Sequence, residues 1–223
     1  MFHFYFQCDN ANHVTIVNKI VSSSNWPSGL SIKLLLLDWD DDARKSVNSR
    51  ISELGWDVPV IDVFLESPHH IQESYRNQHG QQRHHYLVEM VFVSLKDCIL
   101  NTNSVLIQFN DVSVRGKVFV DACKHIGMNR MLIQDGFLTF VNRQGRVARN
   151  DQNYFWGSTN PEAALVWGNT MVTQLQERHG LKRDKVFVIG PTKNFMDLDQ
   201  SRRVLNQDNP RVLWVDQALI DQG

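Results

Sequence analysis

Proline and cysteine are scarce in this 223-residue chain, six and three residues respectively, and no apolar run approaches the length of a membrane span. The longest, such as residues 32–37, falls far short of the roughly 20 residues a spanning helix needs. No basic region leads into an apolar core at the N-terminus, so no export signal is read there. Cys8, Cys98 and Cys123 lie far apart in apolar segments and form neither an even disulfide framework nor a metal knuckle. A soluble protein of a reducing compartment, most simply the cytoplasm, is expected. Charge of one sign is also lacking: 23 basic side chains against 24 acidic ones leave a net charge of −1, which gives no reason to expect nucleic acid as a partner. No Gly-x-Gly-x-x-Gly follows the first strand, no Walker lysine loop occurs, and a serine nucleophile elbow is missing. These absences disfavour nicotinamide, P-loop and serine-hydrolase chemistry.

What is present is core material, since 42% of the residues are apolar. Short apolar runs alternate with segments of helical period, the pattern of repeated βαβ units. The expected fold is α/β, a Rossmann-like, mostly parallel sheet with helices on both faces. Strands are read at 2–8, 32–37, 58–64, 104–109, 130–134, 163–167 and 185–189. Helices are read from Asp9 or Asn10 onward, from 40 to a Gly55 stop, over 85–100, over 112–125 to Gly127, and over 169–179 to Gly180. Residues 66–84, rich in Gln, His, Asn and Ser, read as an exposed loop or a poorly packed helix. The organisation expected is one Rossmann-like domain over 1–191, a polar interdomain linker over 192–210, and the opening of a second Rossmann-like domain at 211–223.

In open parallel sheets ligands bind beyond the carboxyl ends of the strands. The residues there are polar: Asp9, Asn10 and His13 after the first strand, Asn110 and Asp111 after the fourth, Asp135 and Gly136 after the fifth, and Asn169 after the sixth. Each Asp or Asn also suits a helix cap, and their clustering carries more weight than any one of them. Asp135, between Gln134 and Gly136, is the candidate general base toward a hydroxyl, or else a turn residue bonding its own backbone. His13 is a candidate base or oxyanion donor. Arg143, Arg146 and Arg149 could fork a phosphate or carboxylate, or lie on a solvated loop. Tyr154, Phe155 and Trp156 could stack on a sugar or pack against the domain. His69, His70, His79, His84 and His85 fit no metal-ligand spacing, and no metal is expected.

Two stretches, Ala-Ala-Leu-Val-Trp-Gly-Asn at 163–169 and Lys-Val-Phe-Val-Ile-Gly-Pro-Thr-Lys-Asn-Phe at 185–195, resemble the close of the N-terminal domain of GT-B glycosyltransferases of bacterial surface-polysaccharide synthesis. CDP-glycerol glycerophosphotransferases and relatives of UDP-N-acetylglucosamine 2-epimerase have a similar segment. Residues 105–111 and the Leu-Ile-Gln-Asp-Gly run at 132–136 resemble the preceding units, and 211–218 the start of the second domain. The order of Gly190-Pro191-Thr192-Lys193 departs from the Asn-Pro order of those proteins. The resemblance covers roughly residues 104–218. It implies two Rossmann-like domains facing a cleft, with a nucleotide-sugar donor held mainly by the second and the acceptor by the first. It implies no cofactor beyond that donor, and a glycan or lipid-linked acceptor, which would bring the protein to the inner face of a membrane as a peripheral partner. Asp135 falls where many relatives have histidine, and a base role carries over to it; Asp9, Asn10, Asn110, Asp111, Gly136, Arg143, Arg146 and Asn169 are the candidate substrate contacts. Three readings follow: sugar transfer from a nucleotide donor to a surface glycan, epimerisation of a nucleotide sugar, and a glycan- or partner-binding domain that breaks no bond.

Overall fold

The computed structural model describes residues 2–22, 29–37, 41–99, 103–135 and 156–190. The chain divides into two units, Met1–Lys193 and Asn194–Gly223, and the described residues all lie in the first. Its strands are β1 (Phe2–Gln7), β2 (Leu30–Leu36), β3 (Val60–Asp62), β4 (Ser104–Gln108), β5 (Asn129–Ile133), β6 (Ala163–Val166) and β7 (Val186–Val188). They form one sheet in the order β3-β2-β1-β4-β5-β6-β7, and every neighbouring pair is parallel. The helices are α1 (Ala11–Val21), α2 (Asp41–Glu53), α3 (Val63–Glu66), α4 (His69–Asn77), α5 (Gly80–Ile99), α6 (Val114–Ile126) and α7 (Asn169–His179).

A parallel sheet covered on both faces needs strands that are apolar on both sides, and β2 supplies this with Leu34, Leu35, Leu36 and the following Leu37, all buried. Alternation sends Leu34 and Leu36 to one face, against Val14, Ile16 and Val17 of α1 and Val47 of α2. Leu35 and Leu37 go to the other, with Tyr5 and Leu106, against Val91 and Leu95 of α5 and Val118 and Phe119 of α6. Toward β7, Leu132, Ala164, Val166 and Val186 pack with Val172 and Leu175 of α7. Each fully buried leucine contributes about 1.5–3 kcal/mol relative to exposure. Helix ends follow the sequence signals. Asn10 caps α1 through its side-chain oxygen, Ser113 caps α6, and Gly127 ends α6 with φ at 68°, a left-handed conformation that glycine adopts without a Cβ penalty.

The polar stretch at 66–84 corrects the sequence reading. It folds into α4 and the first turn of α5, and Ile71 and Tyr75 of α4 are core residues packed with Phe64, Leu87 and Met90. Two apolar residues four apart suffice to seat one helix face, although the composition around them is that of a loop. The third strand is likewise shorter than expected, because Asp62 caps α3 with its side chain accepting from the Leu65 amide. Among the described residues, no helix is long and apolar enough to cross a membrane.

Candidate functional site

Chain direction along the sheet reverses between β1 and β4. From β1 the chain moves outward to β2 and β3, and it then returns to β4 and continues the other way. At such a switch point the helices that follow the two central strands leave toward opposite faces and a crevice opens between their N-termini. A cavity of about 450 Å³ lies there. Its lining comes from three places: Asp9, Asn10 and His13 after β1, Asn110, Ser113, Val114 and Arg115 after β4, and Asp135 after β5. Seven of those eight side chains are polar, and Val114 is largely exposed.

His13 and Asp135, separated by more than a hundred residues, meet in this cavity. Nε2 of His13 is 3.2 Å from Oδ2 of Asp135. The other ring nitrogen, Nδ1, accepts the backbone N–H of Asp9 at 3.1 Å. An amide can only donate, so Nδ1 carries the lone pair and the ring proton sits on Nε2, where it donates to Asp135. Asn10 Nδ2, at 3.4 Å from Nε2, is a second donor and therefore a neighbour rather than a partner, since its own oxygen already accepts from the amides of Asn12 and His13. The imidazole stacks on Phe109, with ring centroids 4.3 Å apart, and Phe109 is held through its carbonyl by the indole N–H of Trp156 at 2.9 Å. His13 is consequently buried, with a side chain 6% exposed, whereas that of Asp135 is 32% exposed. Of this pair the carboxylate reaches solvent and the imidazole stands behind it.

Neighbouring groups fix the cavity walls. The Asn110 side-chain oxygen accepts from the amides of Val112 and Ser113, both at 2.9 Å, which turns the chain into α6. Gln134 holds the next strand end, its side-chain oxygen accepting from the Trp167 amide and its carbonyl from the Trp167 indole. Cys8, fully buried beneath the site, has its thiol pushed well above the ordinary range by burial first and by the charge of Asp9 second, so it is an inert part of the core.

Of the residues expected at the site, Asp9, Asn10, His13, Asn110 and Asp135 come together around the cavity. Asp111 does not. Its carboxylate is fully buried and accepts from the Gly157 amide at 2.9 Å, the Thr159 amide at 3.2 Å and the Thr159 hydroxyl at 2.6 Å. It is a latch for the segment entering β6, and a charged acceptor with three donors has no need of a ligand. Asn169 is exposed at the start of α7 and is not part of the lining. Gly136, Arg143 and Arg146 lie outside the described residues, as do Arg149, Tyr154 and Phe155. Ser113 and Arg115 line the cavity without having been picked out in the sequence; their position in the first turn after the strand-end Asn110 was the available signal. Among the described residues no group of three or more His, Cys, Asp or Glu side chains is arranged to hold a metal ion.

Neither a protein-family model nor a curated protein matches the sequence. Solved structures match the fold. A UDP-GlcNAc 2-epimerase from Neisseria meningitidis bound to UDP-GlcNAc aligns with a TM-score of 0.58 at 14% identity, over 86% of this chain and 47% of that one. The S. aureus MnaA structure with UDP gives 0.59 at 8% identity, over 95% of this chain and 50% of the other. The UDP-GlcNAc 2-epimerase from Methanocaldococcus jannaschii gives 0.55 at 9% identity, over 86% and 46%. The class is therefore defined at the level of fold, a GT-B-like domain of Rossmann type. The chain spans about half the length of the structures it matches.

Proposed function

We propose that this chain is the acceptor-side domain of a nucleotide-sugar enzyme, which transfers a sugar from a nucleotide-activated donor to a surface glycan or lipid-linked acceptor. The observation that carries the reading is the Asp135 carboxylate, oriented by the buried His13 Nε2–H and opening onto a polar cavity at the switch point of the sheet. A lining of two carboxylates, two amides, a hydroxyl, a guanidinium and the edge of one buried imidazole is rich in hydrogen-bonding groups and suits a hydroxyl-rich sugar. In this reading Asp135 is the general base. It takes the proton of an acceptor hydroxyl as that oxygen bonds to the anomeric carbon, and the anomeric C–O bond to the nucleotide diphosphate breaks. His13, with both ring nitrogens engaged, orients Asp135 and takes no proton itself. Asp9, Asn10, Asn110 and Arg115 are the substrate contacts, and Gly136, Arg143 and Arg146 extend the proposal beyond the described residues. A lipid-linked acceptor would place the work at the cytoplasmic face of a membrane.

Epimerisation is the second reading, and the fold likeness to the structures of UDP-GlcNAc 2-epimerases is what favours it. There the same carboxylate would take a proton from carbon. Incubation with UDP-GlcNAc separates the two. Nucleoside diphosphate release that depends on an added acceptor supports transfer, whereas conversion of the donor without acceptor supports epimerisation. Asp135→Asn is expected to lower turnover by roughly two orders of magnitude or more. An unchanged rate removes the base assignment.

A further inference from the structure

Next to the cavity lies a buried arrangement of two amides that takes no part in the proposed proton transfer. Gln7 and Gln108, the last residues of the neighbouring strands β1 and β4, are 1% and 0% exposed. Burying a primary amide is costly unless its hydrogen bonds are made, and a pair of apolar residues would fill the same space. Their bonds run in one direction. Gln108 Nε2 donates to the Gly116 carbonyl of α6 at 3.2 Å and to Gln7 Oε1 at 2.7 Å. Gln7 Nε2 in turn donates to both carboxylate oxygens of Asp9, each at 3.0 Å. Neither amide can turn over. Rotating Gln108 would set its oxygen against two acceptors, and rotating Gln7 would set its oxygen against a carboxylate. Gln108 accepts this orientation although its own Oε1 has no hydrogen-bond partner among the described residues. A buried polar atom left without a partner calls for an explanation beyond stability.

We infer that Gln108 and Gln7 are positioning residues, a relay that starts at the α6 backbone and fixes the Asp9 carboxylate as a ligand-facing acceptor for sugar hydroxyls. The consequence reaches Asp135. Asp9 is gripped at its side chain by Gln7, and its amide holds Nδ1 of His13, which leaves Nε2–H for Asp135. One relay thus sets both carboxylates of the cavity, one directly and one through the imidazole. A hydroxyl pair on the ligand would donate to Asp9 and Asp135 together. The ligand-facing role rests on the proposed sugar site; the relay itself rests only on the hydrogen bonds.

The test uses the 223-residue chain labelled with 13C and 15N. In the wild type the Gln7 and Gln108 side-chain amides should be slow to exchange with solvent, and His13 should show a single Nε2–H tautomer. Gln108→Met, close in volume and without the donor, should shift the Gln7 amide and the Asp9 carboxyl signals. Gln7→Met should shift the Asp9 signal and broaden or mix the His13 tautomer. Titration with N-acetylglucosamine, the hydroxyl-bearing part alone, as probe should show either variant binding about tenfold more weakly, the weight of a hydrogen bond to a charged group. The double variant should be no weaker than the worse single one, as members of one relay require. If Gln108→Met leaves the Gln7 and Asp9 signals in place, the relay is overturned whatever the chain binds. If those signals move and both variants bind the probe like the wild type, the ligand-facing role is overturned while the site reading stands. If the wild type itself shows no shifts at Asp9, Asn10 or Asp135 with the probe, the sugar-site reading falls and takes the ligand-facing role with it. Should Gln108→Met fail to fold, Gln108→Leu, which also lacks the donor, reads out the same signals.

Discussion

Gly116 shows how little space the site leaves at single positions. A Cβ there would sit 2.1 Å from the Asn110 carbonyl oxygen, and that atom belongs to the backbone and cannot swing aside. Gly116→Ala should therefore push α6 away from the end of β4 and cost on the order of 1–3 kcal/mol, checked by urea unfolding. Asp111 makes a second prediction. Replacing it by Ala strips three donors of a buried charged acceptor, and a loss of roughly 3 kcal/mol is expected, with the segment around Gly157 exchanging its amides faster. His179 gives the pH dependence. Burial lowers its pKa from the ordinary 6.5; the charge of Asp111 opposes this and Arg178 adds to it. The folded state then resists a proton that the unfolded chain accepts, so this group contributes nothing above the ordinary value and destabilises as pH falls through it. His179→Gln should flatten the loss of stability below pH 6.5, measured as the unfolding midpoint across pH. None of these roles is visible in the sequence, where Asp111 reads as one more strand-end carboxylate. Its commitment to Gly157 and Thr159 depends on where β6 enters the sheet.

At the scale of elements, local signals were sufficient where they agreed. Asn10 caps α1, Gly127 and Gly180 end α6 and α7, and the seven apolar runs became seven strands. They failed at α4, whose nine residues His69–Asn77 are mostly polar. Ile71 and Tyr75 carry the packing there, and Tyr75 is steadied by the Arg83 guanidinium 4.2 Å above its ring and by the edge of Phe64. Tyr75→Ala should accordingly cost about 3–5 kcal/mol in urea unfolding, as deletion of a large core aromatic does, whereas a loop residue would cost almost nothing. Burial raises the pKa of the Tyr75 hydroxyl, with Arg83 and Arg115 opposing, so its absorbance should titrate above the ordinary 10.0. Polar composition misleads here because one turn of helix needs only two apolar side chains to dock, and composition averages over the remaining seven.

At the scale of the whole molecule, the site is a product of strand order. β1 and β4 are far apart in the chain and adjacent in the sheet, which puts Gln7 against Gln108, and β5 lies next to β4, which brings Asp135 within reach of His13. The sequence by itself determined most of the elements, the parallel α/β class and the polar character of the strand ends, because periodicity, caps and apolar runs are properties of neighbouring residues. Only the tertiary structure decided which strand ends share a cavity, that Asp111 turns inward while Asp135 turns out, and that His13 stands behind a carboxylate. The physical reason is that hydrogen-bond partners and burial are set by residues brought close by the sheet from distant parts of the chain, and no local pattern encodes that order.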